Sequence, residues 1–174
     1  IDPNFIIIPQ NGHELATVSG DGDDNAPSVE YLASIDGAGQ EDLLYGYDRD
    51  DKETVENTTE YLSTFLDICE SHGVEVLVTD YCSTHENMDD SYQNNKRKEY
   101  ISFAAPDREL SVIPEYPATI YNTNEADITK LSEAKNFLYL LNPEKFSSAE
   151  EFVTVIGATD YDLIIIDFFF EDEE

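Results

Sequence analysis

The feature that most narrows the fold is the recurrence of short, unbroken apolar runs, each stopping at a polar or glycine residue. Phe5-Ile6-Ile7-Ile8 stops at Pro9-Gln10-Asn11-Gly12, Val74-Glu75-Val76-Leu77-Val78-Thr79 at Asp80-Tyr81, and Leu163-Ile164-Ile165-Ile166 at Asp167. Runs of this length are the mark of buried parallel strands. About six are expected, at 5–8, 34–40, 74–79, 100–105, 137–141 and 163–166. Between the second and third, Val55, Leu62, Phe65, Leu66 and Cys69 recur at helical spacing, and Gly73 supplies a stop. Between the fifth and sixth, Ser147 with Glu150 fits a capping box, followed by Phe152, Val153 and Ile156 on one helical face. Strand, helix, strand units of this kind imply a parallel sheet with right-handed crossovers and outer helices, either open or closed.

Three polar, acidic or Asn-rich segments, Ser19–Pro27, Asp48–Lys52 and Ser83–Lys98, follow strand ends and read as loops around a binding mouth. The stretch Ser111–Leu131, with Pro114, Pro117 and Asn122, reads as an extended connection dividing four strands from two. A chain of 174 residues suits one domain, but a complete eight-stranded α/β barrel takes about 250. The acidic end, Glu171–Glu174, follows a strand with no covering helix, so the expectation is a truncated unit.

Charge limits the partners. Against 39 acidic residues stand 9 basic ones, a formal net charge of -30, so nucleic acid phosphate is repelled. Such a surface suits high salt, or it attracts cationic substrates. With 40% hydrophobic residues, 11 Tyr and 9 Phe, the acidity is not that of a disordered tail. Cys69 and Cys82 form no CxxC pair and imply no disulfide framework. No apolar stretch approaches the roughly 20 residues of a membrane helix, because Asp167 interrupts the longest. The opening Ile1-Asp2-Pro3 shows no leader pattern.

Candidate site residues lie at strand ends. Glu41, with Asp42, follows the glycine-containing second strand, where a carboxyl group suits general acid or base chemistry; the plainer reading is a solvated surface acid. Gln10 and Asn11 offer amides for hydroxyl recognition, although Asn-Gly is also an ordinary turn. Asp80 and Tyr81 pair a carboxylate with an aromatic ring, a combination that binds sugars and equally makes a helix cap and a core tyrosine. Cys82 and His85 have ligand-type side chains but make no zinc pattern, and Asp21-Gly22-Asp23-Asp24 lacks the glycine position and closing Glu of a calcium loop. His13 and His72 have no nucleophile partner in a known motif, and no phosphate-binding glycine loop occurs, so neither metal nor cofactor is expected.

Three strand-end motifs, Ile8-Pro9-Gln10-Asn11-Gly12, Ile35-Asp36-Gly37 with Gln40-Glu41-Asp42-Leu43, and Val78-Thr79-Asp80-Tyr81, together resemble the endo-α-1,4-polygalactosaminidase family of glycoside hydrolases and its uncharacterised extracellular TIM-barrel relatives. The resemblance covers nearly the whole chain. It implies a partial or permuted (β/α)8 barrel of about six parallel strands with outer helices. Residues 1–105 resemble strands five to eight and 132–174 strands one and two, an order that permutation, tandem repetition or a cut chain produces. It further implies that Glu41 is a catalytic carboxyl, that Gln10, Asn11, Asp80 and Tyr81 line the cleft, and that a second catalytic Asp belongs to a strand absent here. The implied reaction is hydrolysis of an α-1,4-linked galactosamine-type polysaccharide by two carboxyl groups, in a secreted protein. A partly deacetylated polymer is cationic and suits an acidic cleft. The rival expectations are a non-catalytic carbohydrate-binding barrel and a structural fragment that associates through its uncovered strand edges.

Overall fold

The computed structural model describes residues 5–21, 26–141, 146 and 148–166. Ile1-Asp2-Pro3, Gly22, Asp23, Asp24, Ser147, Asp167 and the Glu171–Glu174 end lie outside the described residues.

A short helix α1 (Val29–Leu32) leads into β1 (Gly37–Glu41), followed by α2 (Glu56–Ser71), β2 (Glu75–Tyr81), α3 (His85–Arg97) and β3 (Ile101–Ala105). After a connection over 106–130 without helix or strand come β4 (Phe137–Leu140), α4 (Ala149–Ile156) and β5 (Leu163–Ile166). β1, β2 and β3 form one parallel sheet in that order, with Glu41 opposite Thr79 and Tyr81 opposite Ala105; β4 and β5 form a second parallel sheet. No described helix is long and apolar enough to cross a membrane.

The helical spacing read between the second and third runs produces α2, whose buried side carries Leu62, Phe65, Leu66 and Cys69. It ends where Gly73 takes a left-handed φ of 76°. These side chains pack on Val76 and Val78 of β2, and burying each large one contributes roughly 1.5–3 kcal/mol. In α4 the cap is Ser148, whose hydroxyl accepts from Glu151 N at 3.2 Å. Phe152 and Ile156 are buried there, whereas Val153 faces solvent.

The expected six-stranded partial barrel is not formed. Among the described residues the sheets have three and two strands, and barrel closure needs an unbroken ladder. β3 and β4 meet through side chains, with the Phe103 and Phe137 rings 5.7 Å apart, in one apolar cluster rather than as a hydrogen-bonded pair. The run Phe5–Ile8 is not a strand either: it lies beside β1, giving Ile7 O to Asp36 N and Gly37 N and Pro9 O to Gly39 N, but bridges only once, at Gln10 and Gly39. Phe5, Ile6 and Ile7 stay exposed, Phe5 by 66%, and only Ile8 packs on the core, so burial does not drive the run into the ladder.

The segment 83–98, read as a loop, is the helix α3. Two causes hid it. Its buried face is half polar, Met88 and Tyr92 alternating with Ser91 and Asn95, so no apolar stripe shows in the sequence. Its start is fixed from a distant loop instead of by a local side-chain cap: Asp51 Oδ1 accepts from Ser83 N (2.8 Å) and Thr84 N (2.9 Å), just before the helix, and from Asn87 Nδ2 (3.1 Å) in its first turn. These hydrogen bonds, set against partial desolvation, hold the Asp51 carboxyl below its ordinary range.

Candidate functional site

Glu41 ends β1, and the two neighbouring chain segments converge on its carboxyl group. On one side Asn11 Nδ2 donates to Glu41 Oε2 at 2.7 Å, while Asn11 Oδ1 accepts from Glu41 N at 2.9 Å. On the other side the Tyr81 hydroxyl, at the end of β2, donates to Glu41 Oε1. Asn11 reaches this position with a φ of 54°, a left-handed conformation that Asn tolerates better than most side chains. Gly39 lets the preceding segment approach, since a Cβ there meets the Gln10 carboxamide. Both oxygens of Glu41 are thus fixed by donors from separate segments.

Tyr81 is held in turn. Its ring is buried and lies under the Arg108 guanidinium, 3.9 Å from the ring centroid. Arg108 spans the loop after β1: Nη2 reaches Asp42 Oδ1 at 2.8 Å and Gly46 O at 2.9 Å, and Nε reaches Asp50 Oδ1 at 2.7 Å. Gly46 is required twice over, by a φ of 116° and by the Asp42, Arg108 and Tyr81 atoms that a Cβ would strike. Burial first, then the hydrogen bond to Glu41, pushes the Tyr81 phenol far above its ordinary range, with the Arg108 charge opposing. Tyr81 therefore remains a donor throughout the neutral range.

The site opens on a cleft of about 320 Å³ whose walls include Asn11, Glu14, Gln40, Glu41, Tyr47 and Tyr61. It lies at the carboxyl-terminal end of the parallel strands, where open α/β sheets take their ligands. With Glu14, Glu41 and Asp42 lining it, the cleft presents acceptors to a donor-rich or cationic ligand.

Of the residues expected at the site, Glu41, Asn11 and Tyr81 come together. Gln10 is exposed, its carboxamide laid over Gly39. Asp80 is not a cleft residue: it is fully buried. Its carboxylate accepts from Leu44 N (2.8 Å), Tyr45 N (3.2 Å), Ser91 Oγ (2.7 Å) and Asn95 Nδ2 (3.1 Å). Burial raises its pKa while these four donors oppose the rise, so it acts as the internal pin between the 44–45 backbone and α3. Cys82 is buried with Sγ toward Asp80 O at 3.8 Å, and His85 stacks on Tyr116 at 3.7 Å. Neither belongs to a group of three or more potential metal ligands among the described residues.

Arg108 was missed by sequence reasoning. A signal existed: it is one of 9 basic residues in the chain and stands just past β3, facing the ends of β1 and β2. Compared with known proteins, the chain matches no family model, no curated protein and no solved structure.

Proposed function

We propose that the chain is a carbohydrate-active domain of glycoside-hydrolase type, with Glu41 as a catalytic carboxyl group acting on an α-1,4-linked galactosamine-type polysaccharide. One observation carries this reading: Asn11 and Tyr81, from different segments, hold both oxygens of Glu41 at the strand ends. A side chain fixed by its neighbours presents one geometry to a substrate instead of many, which is what positioning a reacting bond requires. In two-carboxyl hydrolysis one group protonates the leaving oxygen and the other assists attack. Asp42 is committed to Arg108, which leaves Glu14 as the second acid lining the cleft. The acidic lining favours a partly deacetylated, cationic polymer, and secretion into a salty medium accords with a net charge of -30.

A second reading, carbohydrate binding without hydrolysis, is favoured by the fact that Glu14, Glu41 and Asp42 are each already hydrogen-bonded or ion-paired within the chain. Reducing-end release from partly deacetylated α-1,4-galactosaminogalactan, in low and high salt, separates the two. Hydrolysis predicts release that Glu41→Gln lowers about 10²–10⁴-fold. Full activity in Glu41→Gln removes the catalytic role, and binding without release establishes the second reading.

A further inference from the structure

The Glu41 cleft holds side chains that neither the core nor the Glu41, Asn11 and Tyr81 contacts use. Tyr61 lies on the outer side of α2 and is 40% exposed. Its ring stands edge-on to Phe65 at 5.1 Å and to His13 at 6.0 Å, and its hydroxyl donates to Glu14 Oε1 at 3.0 Å. A tyrosine braced at ring and hydroxyl, yet still in contact with solvent, is an aromatic surface oriented before a ligand arrives. Tyr47, 56% exposed, follows Gly46 into the same cleft. Both rings therefore present aromatic surface to the solvent of the cleft in the free chain.

Below them Gln40 is 4% exposed. Its amide orientation is fixed, because Nε2 donates to the Glu41 carbonyl oxygen at 2.7 Å. That leaves Oε1 as a buried acceptor without a hydrogen-bond partner, and His13 Nδ1 is buried and unpartnered as well. The His13 ring is close enough to Gln40 for the amide to favour its charged form, but the two atoms do not meet hydrogen-bond geometry. Burial outweighs the Glu14 charge and the Gln40 amide, which both favour the charged form, and lowers the His13 pKa, so the ring is mainly neutral at neutral pH. An amide oxygen and a neutral ring nitrogen on one cleft floor are matched together by a group that donates and accepts, which is what a hydroxyl does.

We infer that Tyr47 and Tyr61 stack the ring of a hexopyranose while Gln40 and His13 receive one of its hydroxyl groups, seating that sugar beside Glu41. The assignment rests on the carbohydrate reading of Glu41 and narrows it, adding a ring-face and hydroxyl subsite to a cleft otherwise defined by carboxylates. Attraction to carboxylates weakens in salt, whereas stacking on tyrosine does not.

The test is calorimetric titration of the chain with oligosaccharides of partly deacetylated α-1,4-galactosamine in low and high salt, with circular dichroism as the check on folding. Tyr47→Ala and Tyr61→Ala are each expected to weaken binding about tenfold, and Tyr61→Phe, which keeps the ring, to stay within about threefold. Wild-type affinity in both alanine variants, with binding abolished by Glu41→Gln, overturns the subsite and leaves the Glu41 reading standing. A folded wild-type chain that binds no oligosaccharide in either salt overturns both.

Discussion

Polar ties stand at the amino-terminal ends of both parallel sheets, and in the first they stand at the carboxyl-terminal ends too. In β1–β2–β3 Ile7 N donates to Asp36 Oδ2 at 2.8 Å and Val76 N to Glu70 Oε1 at 3.0 Å where the strands begin, and the carboxyl-terminal ends tie Glu41 to Asn11 and Tyr81, and Asp80 to the 44–45 backbone and α3. In β4–β5, among the described residues, the ties sit just before the strands. Asp162 N donates to Asn136 Oδ1 at 2.9 Å, and Lys135 N donates to Asp162 Oδ2 at 2.7 Å. Ties at the amino-terminal ends set register. At the carboxyl-terminal ends they instead hold loops and polar side chains above the sheet, which is where α/β folds place ligands. In the first sheet these carboxyl-terminal ties stand around the Glu41 cleft.

The largest effect is expected from removing the internal pin. Asp80→Ala leaves two backbone N–H groups, the Ser91 hydroxyl and the Asn95 amide without their acceptor. At roughly 1–3 kcal/mol for each orphaned group, the loss is about 4 kcal/mol or more. Chemical denaturation measures it. A loss under about 1 kcal/mol would mean that water or local shifts replace the carboxylate and that the polar ties of the first sheet are dispensable.

Phe137→Ala tests the apolar seam between the sheets. Phe137 is fully buried against Phe103, and such a truncation costs about 3–5 kcal/mol. If the sheets unfold as one unit, the variant shows a single denaturation transition, shifted as a whole. Two separated transitions would divide the molecule at 106–130 and sharpen the contrast between its parts.

How much of this was legible in the sequence differs between the same two regions. Strands β2 to β5 and helix α2 follow from apolar runs and spacing, because there the side chains themselves are what is buried. The number of sheets does not follow. Whether β3 and β4 pair or merely touch is decided by backbone approach over a long connection, and no residue pattern records it. At the candidate site, strand-end position singled out Glu41, Asn11 and Tyr81, which parallel register brings into contact. It misplaced Asp80, one residue before Tyr81, because alternation along β2 turns successive side chains to opposite faces. Arg108 and the Asp51 cap involve partners 66 and 33 residues away, beyond the reach of any local motif.

Asp51→Ala probes a smaller tie of the first sheet, the borrowed cap of α3. Loss of an N-terminal cap costs about 1–2 kcal/mol, and the carboxylate supplies it while ionised. Since its folded pKa lies below the ordinary value, this contribution is full above the unfolded pKa and fades as pH falls through the folded one. Wild type and Asp51→Ala should therefore differ at pH 7 and converge in strong acid. Equal stability at pH 7 would show that water or a turned Thr84 hydroxyl replaces the carboxylate at the start of α3.

The smallest effect comes from Glu70, at the end of α2, where the sign reverses. Its Oε1 accepts from Val76 N at 3.0 Å. Burial, and then the charges of Glu75, Glu99 and Asp67, push its pKa up to about 7, with only the Val76 hydrogen bond opposing. The folded chain thus binds this proton more tightly than the unfolded one. From the ordinary carboxylate range up to about 7 the folded state retains a proton that the unfolded state has lost, so stability falls as pH rises across that window. Glu70→Gln keeps an acceptor for Val76 N and removes the charge. Because the group is only half-buried and solvent screens it, the gain at pH 8 is expected to be about 1 kcal/mol, with none at pH 4. Thermal melts of both proteins at the two pH values measure it. A gain of equal size at both would assign the effect to packing and leave the amino-terminal end of β2 without an electrostatic cost to set against the ties at its other end.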